Sequence, residues 1–182
     1  MDQIEAARDL ARELLAGAIP RRWVHSQGVG RKAESVAHVV GHDAAALVSA
    51  AWLHDIGYAP GLVVTGMHQL DGARYLRDVA GADQLVCRLV AHHSCAFVEA
   101  RNRGLAEQLA REFPPVGGLL ADAITYADMT TDPDGEPVEV EQRLAEILAR
   151  YGDGHLVAES IREASPFIIG SVRSLTAALT AG

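Results

Sequence analysis

Residues Ala44 to Leu53 form a ten-residue run with a single polar side chain, Ser49, and the run stops at His54-Asp55. Its alanines and leucines favour helix, and a helix that is apolar all round is buried on every side. The rest of the chain must therefore wrap this segment, and whatever stands at its end is delivered to the core. Adjacent residues on a helix point about 100° apart and share no target, but at a helix end the last turn loosens and both can reach one ion. Histidine offers a neutral imidazole nitrogen and aspartate a hard carboxylate oxygen, a mixed set that suits Fe, Mn, Zn or Mg. Taken alone, a His-Asp pair is more often just a helix terminus. The question is whether other segments bring further ligands to it.

The flanking segments read as helices. Ile4, Ala7, Leu10, Ala11, Leu14 and Leu15 have helical spacing over residues 3–16. Pro20 suits the first turn of a second helix running from Arg21 to about Val40, with His25 inside it. Gly41-His42-Asp43 is a turn with Asp43 as the expected N-cap. After the buried helix, Gly57-Tyr58-Ala59-Pro60-Gly61 forces a loop. Further helices are expected from Met67 or His68 to about Val79, over Ala82–Cys95, over a short charged stretch Arg103–Phe113, and over Gly118–Met129. Two amphipathic helices are expected at about 138–151 and in the 155–180 region, the latter broken near Ser165-Pro166. No segment alternates with period two. The expected fold is therefore all-α: one domain over residues 1–182, with a metal-binding core at about 20–135 and C-terminal helices 138–180 packed on it.

Composition narrows the function. The hydrophobic share of 49% fits an ordinary globule, and 182 residues suffice for a sizeable core. A net charge of −8 argues against a long nucleic-acid partner, which would need a basic face. It leaves room for a small phosphorylated molecule, because a metal and a few arginines reverse the sign locally. The charged N-terminus does not read as a signal peptide, and no uninterrupted apolar run approaches a membrane span. The expectation is a cytoplasmic protein with no membrane partner; a homo-oligomer is compatible with the sequence. Cys87 and Cys95 have no zinc-knuckle or disulfide pattern and are expected to be small buried hydrophobes.

Eight histidines are present, and they are not equivalent. His25, His68 and the His92-His93 pair lie in or at the ends of segments with a strong apolar face, and Asp128 ends a buried helix. Such groups can converge at one end of a helical bundle. The spacing His25, then His54-Asp55, then Asp128 resembles the H…HD…D signature of the HD-domain superfamily of metal-dependent phosphohydrolases. Leu53-His54-Asp55-Ile56-Gly57 resembles its HDIG form. The His68-to-Gly72 spacing and the His92-His93 pair resemble the two-metal branches, including HD-GYP phosphodiesterases and diadenosine tetraphosphate hydrolases. The Gly-Tyr-Pro motif itself is absent after His93, where Ser94-Cys95-Ala96-Phe97 stands, so no cyclic-dinucleotide activity is assigned.

The resemblance implies one metal held by His25, His54, Asp55 and Asp128. It implies a second held by bridging Asp55 with His68, His92 and His93. One or two divalent ions would serve, Fe or Mn ahead of Zn or Mg, and a two-ion centre activates water and clamps a phosphoryl oxygen. His54 and Asp55 would then be the catalytic centre, acting on a small phosphorylated substrate, expected to be a nucleotide. Many relatives carry a lysine after HDIG; this chain has Tyr58. Arg21, Arg22, Arg101 or Arg103 could supply that cation, since arginine binds phosphate bidentately. Thr130 or Thr131, in the loop from Thr130 to Pro137, could orient a ligand. The same resemblance admits a di-iron oxygenase or a non-catalytic regulatory module. His42-Asp43 is read as a turn and cap rather than a site. His38 lies about 220° round its helix from His25 and cannot share its face. His155 is expected at the surface.

Overall fold

A computed structural model describes residues 2–181. The described residues hold ten α-helices and no strand, so the all-α expectation is met; the only β pairing is an isolated bridge between Thr131 and Pro137. The helices are α1 (Gln3–Leu15), α2 (Pro20–Val36), α3 (Ala44–Leu53), α4 (His68–Asp78), α5 (Gln84–His92), α6 (Ala96–Asn102), α7 (Ala106–Glu112), α8 (Gly118–Met129), α9 (Val140–Tyr151) and α10 (Leu156–Ala181).

Helix α3 is the hub. Every residue from Leu47 to Leu53 is buried, and α1, α2, α5 and α8 pack around it. Burying the Leu47, Val48 and Leu53 side chains contributes roughly 1.5–3 kcal/mol each before entropy is counted. Asp43 stands at the N-cap position, but its side chain makes no capping bond; it pairs instead with exposed His42. Two apolar clusters result. The larger surrounds α3. The smaller joins Val98, Met129, Val140, Leu144, Ile147, Ala164, Ile168 and Val172 from α6, α8, α9 and α10.

Several boundaries differ from the expectation. Helix α2 ends at Val36; residues 37–43 tighten to a 3₁₀ turn, with Gly41 at φ 60° between α2 and α3. Helix α5 stops at His92, and Ser94 and Cys95 both take positive φ, 50° and 59°. The charged stretch Arg103–Phe113 forms α7, and a further helix, α6, precedes it, parted from α7 by Gly104 at φ 72°. Helix α10 is unbroken through Pro166. Proline removes one N–H bond to the carbonyl four residues earlier. Here Pro166 and Arg162 are both exposed, so water can take that carbonyl, while Ala164, Ile168, Val172 and Leu175 hold the buried face.

The stretch Pro20–Tyr58 is long and apolar enough, by length and composition, to cross a membrane, with a mean hydropathy of 1.3 over its most apolar window. Half of that window is buried inside the fold, and Gly41 bends the stretch, so its apolar surface is used by the core.

Candidate metal centre

Four turns and helix ends aim into one place. His25 comes from the middle of α2. Its position depends on Gly28, where a Cβ would lie 2.5 Å from the Gly135 carbonyl oxygen; without that close approach α2 could not lie against the 131–135 loop. His54 and Asp55 leave the end of α3. His68 begins α4, which sits hard against the Ile56-Gly57-Tyr58 turn: a Cβ on Gly57 would fall 1.9 Å from the His68 carbonyl oxygen. The glycine of the Leu-His-Asp-Ile-Gly motif is thus a spacing requirement, met from the other side by Gly72. His93 follows α5, and Asp128 ends α8.

These six side chains form two adjoining groups, His25–His54–Asp128 and Asp55–His68–His93, whose ligand atoms lie within 4.8 Å of one another in each group. Asp55 serves both. Its Oδ2 lies 3.4 Å from His54 Nε2 and 4.0 Å from His25 Nε2, while its Oδ1 lies 3.4 Å from His68 Nε2. His25 Nε2 is 3.0 Å from Asp128 Oδ1, and His68 Nε2 is 3.2 Å from His93 Nε2.

The outer ring nitrogens are fixed by backbone carbonyls. His25 Nδ1 donates to Asp132 O at 2.9 Å, His54 Nδ1 to Ala51 O at 2.8 Å, and His93 Nδ1 to Val90 O at 2.7 Å. Donation at Nδ1 leaves each neutral ring with a lone pair at Nε2, and these lone pairs face carboxylate oxygens or one another. His54 Nε2 is buried with no hydrogen-bond partner at all. Acceptors facing acceptors in a buried site call for a cation between them, and histidines tied to carbonyls through the far nitrogen are the usual supports of metal ligands. The residues present therefore fit divalent ions. The charge balance agrees: two buried carboxylates face one guanidinium, that of Arg22.

Arg22 stands where the sequence lacks a lysine. Its Nη1 donates to Asp55 Oδ2 at 2.5 Å, and its guanidinium lies 4.0 Å over the Tyr58 ring, which stacks on His68. Burial works against the charge of Asp55, yet the Arg22 guanidinium holds its carboxyl well below the usual range. Burial lowers the imidazolium stability of His68 and His93, which stay neutral and able to ligate.

Other expected residues lie elsewhere. His92 is the correction among the ligands: its ring turns away from the cluster and its Nε2 donates to the Phe113 carbonyl at 2.6 Å. At this helix end the two rings diverge, and the turn after α5 brings His93, not His92, to the cluster. Arg21 pairs with Asp134 at the surface, Arg101 with Glu163, and Arg103 with Glu99. None of these three adjoins the cluster. The hydroxyls of Thr130 and Thr131 cap the end of α8 by donating to Tyr126 O and Ala127 O. His38 and His155 are exposed; Cys87 is buried and Cys95 half-buried. Ser94 went unread in the sequence. Its hydroxyl donates to Asp128 Oδ2, and it reaches there because two successive residues adopt left-handed backbone. Unglycinated positive φ is costly and gathers at functional sites, but no residue type in this stretch announces it.

The centre opens on a cavity of about 70 Å³. Arg22, Tyr58 and Asp128 line one side, and Met129, Ile147 and Ala164 of the smaller apolar cluster line the other. A family model described as HD domain matches residues 22–129, more than half of the chain and the span that carries all six clustered residues. Neither the curated proteins nor the solved structures yielded a match.

Proposed function

The chain belongs to the HD-domain family, and from that premise we propose that it is a metal-dependent phosphohydrolase acting on a small phosphorylated molecule. The observation that carries this reading is Asp55, whose two oxygens divide between the two groups of histidines, as a bridging carboxylate requires. In this reading His25, His54, Asp55 and Asp128 hold one divalent ion, and Asp55, His68 and His93 hold a second. Ions so placed would supply Lewis acidity toward a phosphoryl oxygen and a nucleophile from water at neutral pH. A donor set of four imidazoles and two carboxylates favours Fe or Mn over Mg.

The chain's own residues have separable tasks. Asp55 sets the spacing of the two groups. Ser94 orients Asp128 through its second oxygen. Arg22, permanently charged and stacked on Tyr58, can exchange its bond to Asp55 for a substrate phosphoryl oxygen, the task expected of a lysine after the motif. A cavity of about 70 Å³ holds about five water molecules, the size of the phosphoryl group itself, so anything larger, a nucleotide above all, enters only if α9 and α10 move apart. A cytoplasmic setting, where cysteines stay reduced, accords with two unpaired thiols.

The test is phosphate release by Mn- or Fe-loaded protein from small phosphomonoesters and from nucleotides. Turnover of at least one phosphoester, lost in Asp55→Ala, is expected. No turnover on any, with both ions bound, overturns the proposal. Oxygen consumption by the di-iron form in that case would favour the oxygenase reading, which the four imidazoles also suit.

A further inference from the structure

Part of the cavity wall comes from helices beyond the family-matched span. Arg143 and Arg150 of α9 and Tyr151 at its end line it, with Ser160 and Ala164 of α10. Arg143 is only 4% exposed. Its Nη1 donates to Glu146 Oε2 at 2.5 Å, but its Nε is buried with no hydrogen-bond partner. Glu146 is also the partner of Arg150, at 3.1 Å. Two guanidinium groups therefore share one carboxylate beside the cavity. A buried donor on a charged group without a partner is costly, and such arrangements persist where a ligand completes them.

We propose that Arg143 is the centre of a second anion subsite, so that the favoured substrate carries a carboxylate in addition to its phosphoryl group. The inference rests on the phosphohydrolase reading for the phosphoryl end alone. Charge sets the sign: Arg143 and Arg150 exceed Glu146 by one positive charge, and Glu99, the one lining carboxylate outside the ligand cluster, is paired with Arg103. Size favours a small anion: the cavity of about 70 Å³ must widen for any substrate larger than a phosphoryl group, and a carboxylate on a short carbon chain asks for less widening than a base and sugar. Geometry favours arginine for the task, because Nε and Nη2 present a fork matched to two carboxylate oxygens. Across the cavity, Gln69 donates to Glu99 and leaves its Oε1 buried and unpartnered, an acceptor for a hydroxyl on the same substrate. The substrate class so defined is a small phosphorylated hydroxy acid.

Calorimetric titration of metal-loaded protein with two non-hydrolysable phosphonates tests this. Phosphonoacetate carries the carboxylate; ethylphosphonate replaces it with a methyl group. Phosphonoacetate is expected to bind about tenfold or more tightly, the scale of one hydrogen bond to a charged group. Arg143→Met, which keeps most of the side-chain volume, should erase the difference while leaving ethylphosphonate binding unchanged. Glu146→Gln, at a half-exposed position, frees Arg143 without disturbing the core and should raise the affinity for phosphonoacetate alone. Equal binding of the two phosphonates by the unaltered protein overturns the subsite and leaves the phosphohydrolase reading standing. Failure of both to bind overturns both. An advantage for phosphonoacetate that survives Arg143→Met also overturns it, and if that variant does not fold, an unchanged affinity in Glu146→Gln does the same.

Discussion

At the scale of the residue, His92 and His93 show how finely the site is chosen. They are neighbours of one type, yet His93 Nε2 faces His68 and His92 Nε2 is spent on the Phe113 carbonyl. His93→Ala should therefore lower the metal content, measured by elemental analysis, whereas His92→Ala should keep it and cost roughly 1–3 kcal/mol of stability through the orphaned carbonyl, read from denaturant unfolding. Asp55→Asn should lower turnover by about a thousandfold or more, since its carboxylate serves both groups of ligands. It also leaves Arg22 buried beside a neutral amide, so the metal-free variant should lose about 3–5 kcal/mol. His25, His54, Asp55 and Asp128 were legible because their spacing along the chain is itself the motif. His93 over His92 was not, because the choice is made by backbone dihedrals at Ser94 and Cys95. Arg22 was one of four arginines with equal claims in the sequence. Only the folded chain shows that it alone, of those four, stands beside Asp55.

Elements were legible where apolar spacing was strong and obscure where backbone conformation decided. The all-apolar α3 and the stripes of α1, α5 and α8 could be read directly. The end of α5 could not, since serine and cysteine are not residues that signal left-handed backbone. Pro166 signalled a break that exposure on the outer face of α10 made unnecessary. Glycines carry the opposite lesson. Gly57 reads as a loop residue, yet its role is contact with α4: a Cβ there would strike the His68 carbonyl. Gly57→Ala should push α4 away from the 56–58 turn, cost about 1–3 kcal/mol, and weaken the binding of the ion that includes His68 before that of its neighbour. A metal titration with spectroscopic resolution of two sites checks the order of loss.

Across the whole molecule, stability should follow both pH and metal. Glu112 of α7 accepts from Arg74 and Arg77 of α4, and the bond from Arg74 foremost holds its carboxyl down to about 2, against an ordinary 4.5. Between those values the unfolded chain takes up a proton that the folded chain does not. The stabilisation is thus present above the ordinary value and fades as pH falls toward 2. Glu112→Gln should cost about 1 kcal/mol at neutral pH and flatten the acid limb of a melting-temperature profile. Metal acts on the same fold by mass action: an ion at a hundred times its Kd adds about 2.7 kcal/mol, so chelation should lower Tm by roughly 5–10 °C. The two groups of ligands together predict two ions per chain. Elemental analysis of protein purified without chelator measures them directly. Two ions of Fe or Mn per chain, falling to one or none in Asp55→Ala, is the predicted result; one ion per chain in the unaltered protein, unchanged by His68→Ala and His93→Ala, would contradict it.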